Sequence, residues 1–192
     1  MYAFDPDLVN MSFRAAIALF IIVVSLSAAG DTPLNPKMID QAAFIVVGIA
    51  ARTANAKEMS GQGVIAHQWG RLFQEGLLNK IPNKADANII AVYTDYESDS
   101  NGAYTFILGA KVNSTDNIPS GMVAHKIPAG KFAIFTTEKG PGSKVVPEAW
   151  GRINDPQSAA KLNRAYKADF EIYDQRAIDP QNSQVDIYVG VK

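Results

Sequence analysis

Trp69-Gly70-Arg71-Leu72 returns as Trp150-Gly151-Arg152-Ile153, 81 positions downstream (69 to 150). The chain has two tryptophans, and both stand in this tetrad. At the same offset Phe106, Leu108, Gly109 and Lys111 meet Ile187, Val189, Gly190 and Lys192. Between those blocks Val92-Tyr93 meets Ile172-Tyr173 at an offset of 80 (93 to 173). Matched blocks in one order are what a duplicated supersecondary unit leaves behind. Such a chain is constrained to two copies of one small unit with a seam between them, and seams between halves are favoured places for ligand pockets.

The hydrophobic pattern within each copy repeats in the same order. Ala43 to Ala50 is a continuous apolar run of strand length, and Arg52 to Gly63 reads as a loop. Val64, Ile65, Trp69, Leu72, Phe73 and Leu77 recur at helical spacing until Gly76, Asn79 and Pro82 weaken and stop the helix. Two strands follow, Ile89–Tyr93 and Tyr104–Ala110, joined by the turn-rich segment Glu97 to Gly102. The second copy has an extended lead-in over Met122–Pro128 and a strand over Lys131–Thr136. A helix over roughly Val145 to Leu162, interrupted near Pro156, precedes strands at Phe170–Tyr173 and Val185–Val191. The class is α+β: two pseudo-two-fold-related strand–helix–strand–strand repeats, about 39–115 and 118–192, with a mainly antiparallel sheet and a pocket at the seam.

With 192 residues, 47% hydrophobic, 19% charged and a net charge of −1, the chain reads as one globular domain plus a short extension. A sequence pI near 6.1 gives no basic footprint for nucleic acid. Zero cysteines exclude disulfides, thiolate catalysis and cysteine-ligated metals, and the two histidines, His67 and His125, have no metal-ligand spacing. No metal and no cofactor is expected. The N-terminus differs in kind. Arg14 precedes an apolar run from Ala15 to Leu26, and Ser27-Ala28-Ala29 fits a small-x-small cleavage site. Residues 1–30 thus read as a signal-like segment, with Met11 a better start than Met1, and 31–38 as a linker containing Pro33 and Pro36. Export with cleavage is the expectation; a retained membrane anchor and a buried cytosolic helix are the alternatives.

The paired tryptophans read first as helix-to-sheet anchors, each followed by a glycine that would permit close approach; an aromatic ring at a seam can also face a ligand. Glu171 is the sharper candidate. Its counterpart at the offset that pairs the tyrosines is Ala91, so the duplicated unit carries a carboxylate on one side of the seam only. Residues two apart on a strand share a face, which sets Glu171 beside Tyr173. A seam-buried carboxylate attracts a cation; a solvated strand glutamate is the plain alternative. Asp174 and Asp186 suit the rim or surface. No G-x-S-x-G is present, and Gly61-Gln62-Gly63 and Gly140-Pro141-Gly142 complete no phosphate-binding pattern.

Ile127-Pro128-Ala129-Gly130-Lys131-Phe132, then Glu148-Ala149-Trp150, then Asp169-Phe170-Glu171-Ile172-Tyr173-Asp174 and Val185-Asp186-Ile187-Tyr188 resemble the GyrI-like small-molecule-binding domain. This is the effector-binding domain of AraC-type and MerR-type regulators and multidrug sensors, with stand-alone versions from integron cassettes. The resemblance covers about residues 39–192. It implies a pocket at the pseudo-two-fold seam in which a glutamate pairs with cationic, aromatic ligands, and the matching position is Glu171. No helix-turn-helix precedes the domain in this sequence, so the chain is not expected to act as a transcription factor by itself.

The leading expectation is a stand-alone binding protein for amphipathic, cationic aromatic compounds, with Glu171, Tyr173, Trp150, Tyr93, Trp69 and Phe132 as ligand contacts. The alternatives are a hydrolase of strained or electrophilic small molecules that uses Glu171 to activate water, and a protein-interaction module whose seam is filled with side chains.

Overall fold

The structure, a computed structural model, describes residues 36–192. The signal-like segment and nearly all of the linker lie outside the described residues.

Eight strands form a single antiparallel sheet. In chain order they are β1 Lys37–Gln41, β2 Phe44–Ala54, β3 Ile89–Thr94, β4 Ala103–Val112, β5 Val123–Ile127, β6 Gly130–Thr136, β7 Arg164–Tyr173 and β8 Asp186–Val191. The helices are α1 Asn55–Met59, α2 Ile65–Gln74, α3 Leu77–Lys80, α4 Gly142–Asn154 and α5 Pro156–Leu162. The expected linker therefore ends early, since Lys37 and Met38 already belong to β1. The expected Arg52–Gly63 loop contains the end of β2 and the whole of α1. Among the described residues, no helix is long and apolar enough to cross a membrane.

The strand order is β1-β6-β8-β7-β3-β4-β2-β5. Exchanging β1 with β5, β2 with β6, β3 with β7 and β4 with β8 reverses this order and leaves it otherwise unchanged. The duplication is thus built into the sheet, with its axis between β3 and β7. Each lead-in strand pairs with the other copy: β1 with β6 and β5 with β2. Two residues, Ala42 and Ala43, connect β1 at one edge to β2 near the opposite edge. A link that short reaches at most about 10 Å, so the sheet must curl until its two ends meet. Side chains from every strand fill the inside of the curl, among them Ile39, Phe44, Val92, Ile107, Ile127, Phe132, Phe170 and Tyr188.

The helices cover the outer face. Leu72 of α2 and Leu77 of α3 pack on Ile49, Ala91, Tyr104, Phe106 and Leu108. Ala149 and Ile153 of α4 pack on Ala133, Phe135, Ile187 and Val189. Alternation along each strand sorts these two faces, because successive side chains point to opposite sides. The breaks expected in the helices are present. Gly76 adopts φ +59° between α2 and α3, a left-handed geometry that glycine enters without a Cβ penalty. Asp155 separates α4 from α5, and its carboxylate accepts from the backbone N–H groups of Gln157 and Ser158, which caps α5 with Pro156 at its first position.

One expectation about glycine is corrected. The glycines after the tryptophans mediate no close approach: a Cβ at Gly151 would meet nothing within 4 Å, and at Gly70 only the end of Gln74 at 3.9 Å. The close approaches belong to the downstream repeat block instead. A Cβ at Gly109 would strike the backbone of Val47 and Gly48, and one at Gly190 would sit 2.7 Å from the Ala168 carbonyl oxygen.

Candidate functional site

β3 and β7 lie side by side along the seam, with Ala91 opposite Glu171, Tyr93 opposite Asp169 and Ile89 opposite Tyr173. Because residues two apart share a face, Asp169, Glu171 and Tyr173 all point to the helix side, as do Ala91 and Tyr93. Glu171 is not a solvated strand residue: it is 1% exposed.

Three ring donors hold it. The Tyr93 hydroxyl donates to Oε1 at 2.8 Å and the Trp150 indole Nε1 donates to the same oxygen at 2.6 Å. The Tyr173 hydroxyl donates to Oε2 at 2.7 Å. Tyr93 and Tyr173 are the two tyrosines paired by the repeat, so equivalent groups reach the single carboxylate from either side. The tryptophans follow the same symmetry by crossing over. Trp69 of the first copy packs edge-on against Tyr173 of the second at 4.8 Å between ring centroids, and Trp150 of the second packs against Tyr93 of the first at 5.1 Å. Tyr104 and Phe106 extend this wall on the Tyr93 side.

Electrostatics at this point are dominated by burial. Loss of water pushes the Glu171 carboxyl above its ordinary value of 4.5, while the hydrogen bonds from Trp150, Tyr173 and Tyr93 pull against that rise. The phenols of Tyr93 and Tyr173 are driven well above 10 by burial and by the neighbouring carboxylate, so both remain donors. Among the described residues, no lysine, arginine or histidine forms an ion pair with Glu171. The four rings are each half-buried. They form an aromatic surface with a sealed carboxylate beneath it.

Five of the six residues expected at a ligand site, Glu171, Tyr173, Trp150, Tyr93 and Trp69, are brought together here. Phe132 is not. It lies inside the curl, 3% exposed, with its ring edge-on to Phe170 at 5.2 Å. Phe170 precedes Glu171 and points to the opposite face, so strand alternation places Phe132 across the sheet from the carboxylate. Asp174 and Asp186 bracket Arg176 at 2.8 and 2.6 Å on the partly exposed rim.

A second buried carboxylate is absent from the sequence expectations. Asp169 is 0% exposed and pairs with Arg164 at 2.5 Å. The Tyr96 hydroxyl donates to it at 2.6 Å, and the backbone N–H of Gly190 at 2.8 Å. The Arg164 guanidinium also donates to the Asn154 carboxamide oxygen at 2.6 Å and stands over the rings of Tyr166 and Trp150, at 4.5 and 5.8 Å. A register shift in β7 between Arg164 and Asp169, together with Tyr166 at φ +50°, lets the strand fold this arginine back on itself. The signal missed in the sequence is Arg164-x₄-Asp169: the expected strand starts at Phe170, whereas β7 starts at Arg164.

Residues 38–191 match the family model Cass2, integron-associated effector binding protein. YobU of Bacillus subtilis (strain 168), described as a candidate transcriptional regulator, is 36% identical over 146 residues, which is 76% of this chain and 90% of YobU. An integron cassette protein from the mobile metagenome of Vibrio cholerae superposes with a TM-score of 0.58 and 29% identity, over 81% of this chain and 95% of its own. SAV2435, whose structure was solved bound to tetraphenylphosphonium, gives a TM-score of 0.67 at 19% identity, over 82% and 93% of the two chains, and there the likeness is one of fold. With the match running through both repeats, the chain belongs to the Cass2 family of integron-associated effector-binding proteins.

Proposed function

We propose that this chain binds small amphipathic cations with aromatic or bulky apolar substituents, and that Glu171 meets their positive charge. The observation that carries this reading is the state of Glu171: buried to 1%, held by three neutral donors, and without a cationic partner among the described residues. A buried carboxylate in that state is costly, and a ligand cation would relieve the cost. The surrounding rings supply stacking and attraction to a cation through their faces. The fold shared with SAV2435, solved with tetraphenylphosphonium, supports the same ligand class.

Access in this reading is by way of Trp150. Tyr93 and Tyr173 sit on central strands that the ladder fixes, whereas Trp150 sits on α4 at the surface of the sheet. In this reading the indole swings off Glu171 and the ligand takes its place, so Trp150 reports occupancy through its fluorescence. Hydrolysis is a weaker reading, since three ring donors already compete for the lone pairs a general base would need.

The test is a titration with tetraphenylphosphonium and with neutral triphenylphosphine oxide, on wild type and on Glu171→Gln. A charge-assisted contact is worth roughly 1.5–3 kcal/mol, so the cation should lose about tenfold or more in affinity and the neutral compound much less. Equal losses for both compounds, or none, would reject Glu171 as the cation partner. We also propose that binding takes place after export, on the strength of the apolar run following Arg14. Mass spectrometry of protein expressed from the full gene should find a mature start near Gly30 or Asp31; soluble cytosolic protein retaining residue 1 or 11 would reject it.

A further inference from the structure

Asp169 and Glu171 are two residues apart on one face of β7, about 7 Å from each other at strand rise. Both are buried, at 0% and 1% exposed, and both accept a tyrosine hydroxyl. They differ in one respect. Asp169 has a cation of the chain's own: Arg164 is 4% exposed, salt-bridged at 2.5 Å, and its guanidinium lies against two aromatic rings. Carboxylate, phenol donor and aromatic wall are the same components that surround Glu171. Arg164 therefore occupies one of two adjacent cation traps, and Trp150 is shared, with its indole N–H on Glu171 and its ring beneath the guanidinium. Among the described residues that are fully buried, these two carboxylates and one guanidinium leave a single uncompensated negative charge.

We propose that this count makes the seam selective for ligands with one positive charge, and that Arg164 sets the selectivity by neutralising Asp169. The inference rests on the binding reading above and adds the charge class of the ligand. Without Arg164, the strand would present two negative charges about 7 Å apart, a spacing suited to a dication. A unit charge at that distance, in the effective dielectric of a protein interior, changes cation affinity by about tenfold or more.

The probes are N-methyl-4-phenylpyridinium and N,N′-dimethyl-4,4′-bipyridinium, two-ring cations of nearly the same shape with one and two charges. The readout is the ratio of their dissociation constants. Wild type should prefer the monocation. Arg164→Met should move the ratio about tenfold or more toward the dication, Asp169→Asn should move it the other way, and Arg164→Met with Asp169→Asn should return it near wild type. A purely structural role for the pair would weaken both probes together and leave the ratio alone. If one single variant fails to fold, the other and the double variant decide. A wild-type preference for the dication, or a ratio constant within twofold across the folded variants, overturns the proposal. Glu171→Gln separates the two readings: if it leaves both probes unaffected, the binding reading itself has failed, whereas loss of both with an unmoving ratio defeats only the charge count.

Discussion

Ala91 and Glu171 face each other across the β3–β7 ladder at equivalent points of the two repeats, so the pseudo-two-fold axis passes between them. Both are buried, at 0% and 1%. The duplication supplied two tyrosines and two tryptophans around this point, and only one position on the axis carries a charge. An alanine opposite leaves the room that the glutamate side chain and its three donors occupy.

That relationship can be tested by exchanging the two residues. Ala91→Glu alone sets two buried carboxylates opposite each other, with Cβ atoms about 5 Å apart, and should cost more than about 3 kcal/mol. Glu171→Ala alone removes packing and the acceptor of three donors, and should cost about 1–3 kcal/mol. Together they rebuild the site on the other strand, with Tyr173, Tyr93 and Trp69 in the mirrored roles. Denaturant unfolding of the four proteins should give a favourable coupling of at least about 1 kcal/mol. Simple additivity would mean that the two halves are not interchangeable at the axis.

The two tryptophans are equivalent in the repeat but unequal at the carboxylate. Trp150 donates to Glu171, whereas Trp69 packs against the rings of Tyr173 and Phe73. Both changes to phenylalanine lose ring area; Trp150→Phe also loses a hydrogen bond to a charged acceptor. It should cost about 1–2 kcal/mol more than Trp69→Phe, and it should raise the Glu171 pKa further, since the indole is one of the groups holding it down. Side-chain carboxyl NMR through a pH titration reads the second effect. No movement of the Glu171 resonance midpoint between wild type and Trp150→Phe would contradict the geometry.

The fold was legible where periodicity is strong: the two main helices (α2 and α4), the central strands and the repeat were in the sequence because side-chain burial imposes period 3.6 or 2. Glu171 was legible because a carboxylate in the apolar strand Phe170–Tyr173, matched to an alanine, breaks the local pattern. Three things were not. β1 has a largely exposed side-chain pattern, and its place in the sheet depends on pairing with β6 from the other copy, which no local window contains. The Arg164–Asp169 pair is hidden by the register shift and by Tyr166 at φ +50°. Phe132 was misplaced because strand alternation names two faces without saying which of them meets the seam.

Gly151 of the second tetrad and Gly109 of the downstream repeat block give opposite expectations. Gly151 lies inside α4, exposed, with open space where a Cβ would go. Gly151→Ala should stabilise by about 0.5–1 kcal/mol through helix propensity. Gly109 lies opposite Gly48 on β2, where a Cβ would strike backbone. Gly109→Ala should cost more than about 3 kcal/mol or prevent folding, since overpacking against backbone cannot be relieved by a rotamer change. Thermal unfolding midpoints moving in the same direction for both variants would reject this account of the repeat.

Glu171 has a pKa raised in the folded chain, with burial as the largest cause. A carboxyl whose folded pKa exceeds its unfolded pKa binds its proton more tightly when folded. The folded state therefore holds more protons between those two values, and stability falls as pH rises through that window. Asp174, drawn down by Arg176, works in the opposite direction at lower pH, so the contribution of Glu171 must be isolated as a difference. Urea unfolding of wild type and Glu171→Gln, from pH 4 upward, should show wild type losing stability relative to the variant as the carboxyl ionises. Affinity for tetraphenylphosphonium should change in the opposite sense, rising with pH over the same window, because the ionised form is the one that meets a cation. The two curves level off at the same upper pH, set by the folded, unliganded carboxyl, if Glu171 is the cation partner. A stability difference independent of pH, or cation affinity that ignores the window in which stability changes, would separate the buried carboxylate from the binding site.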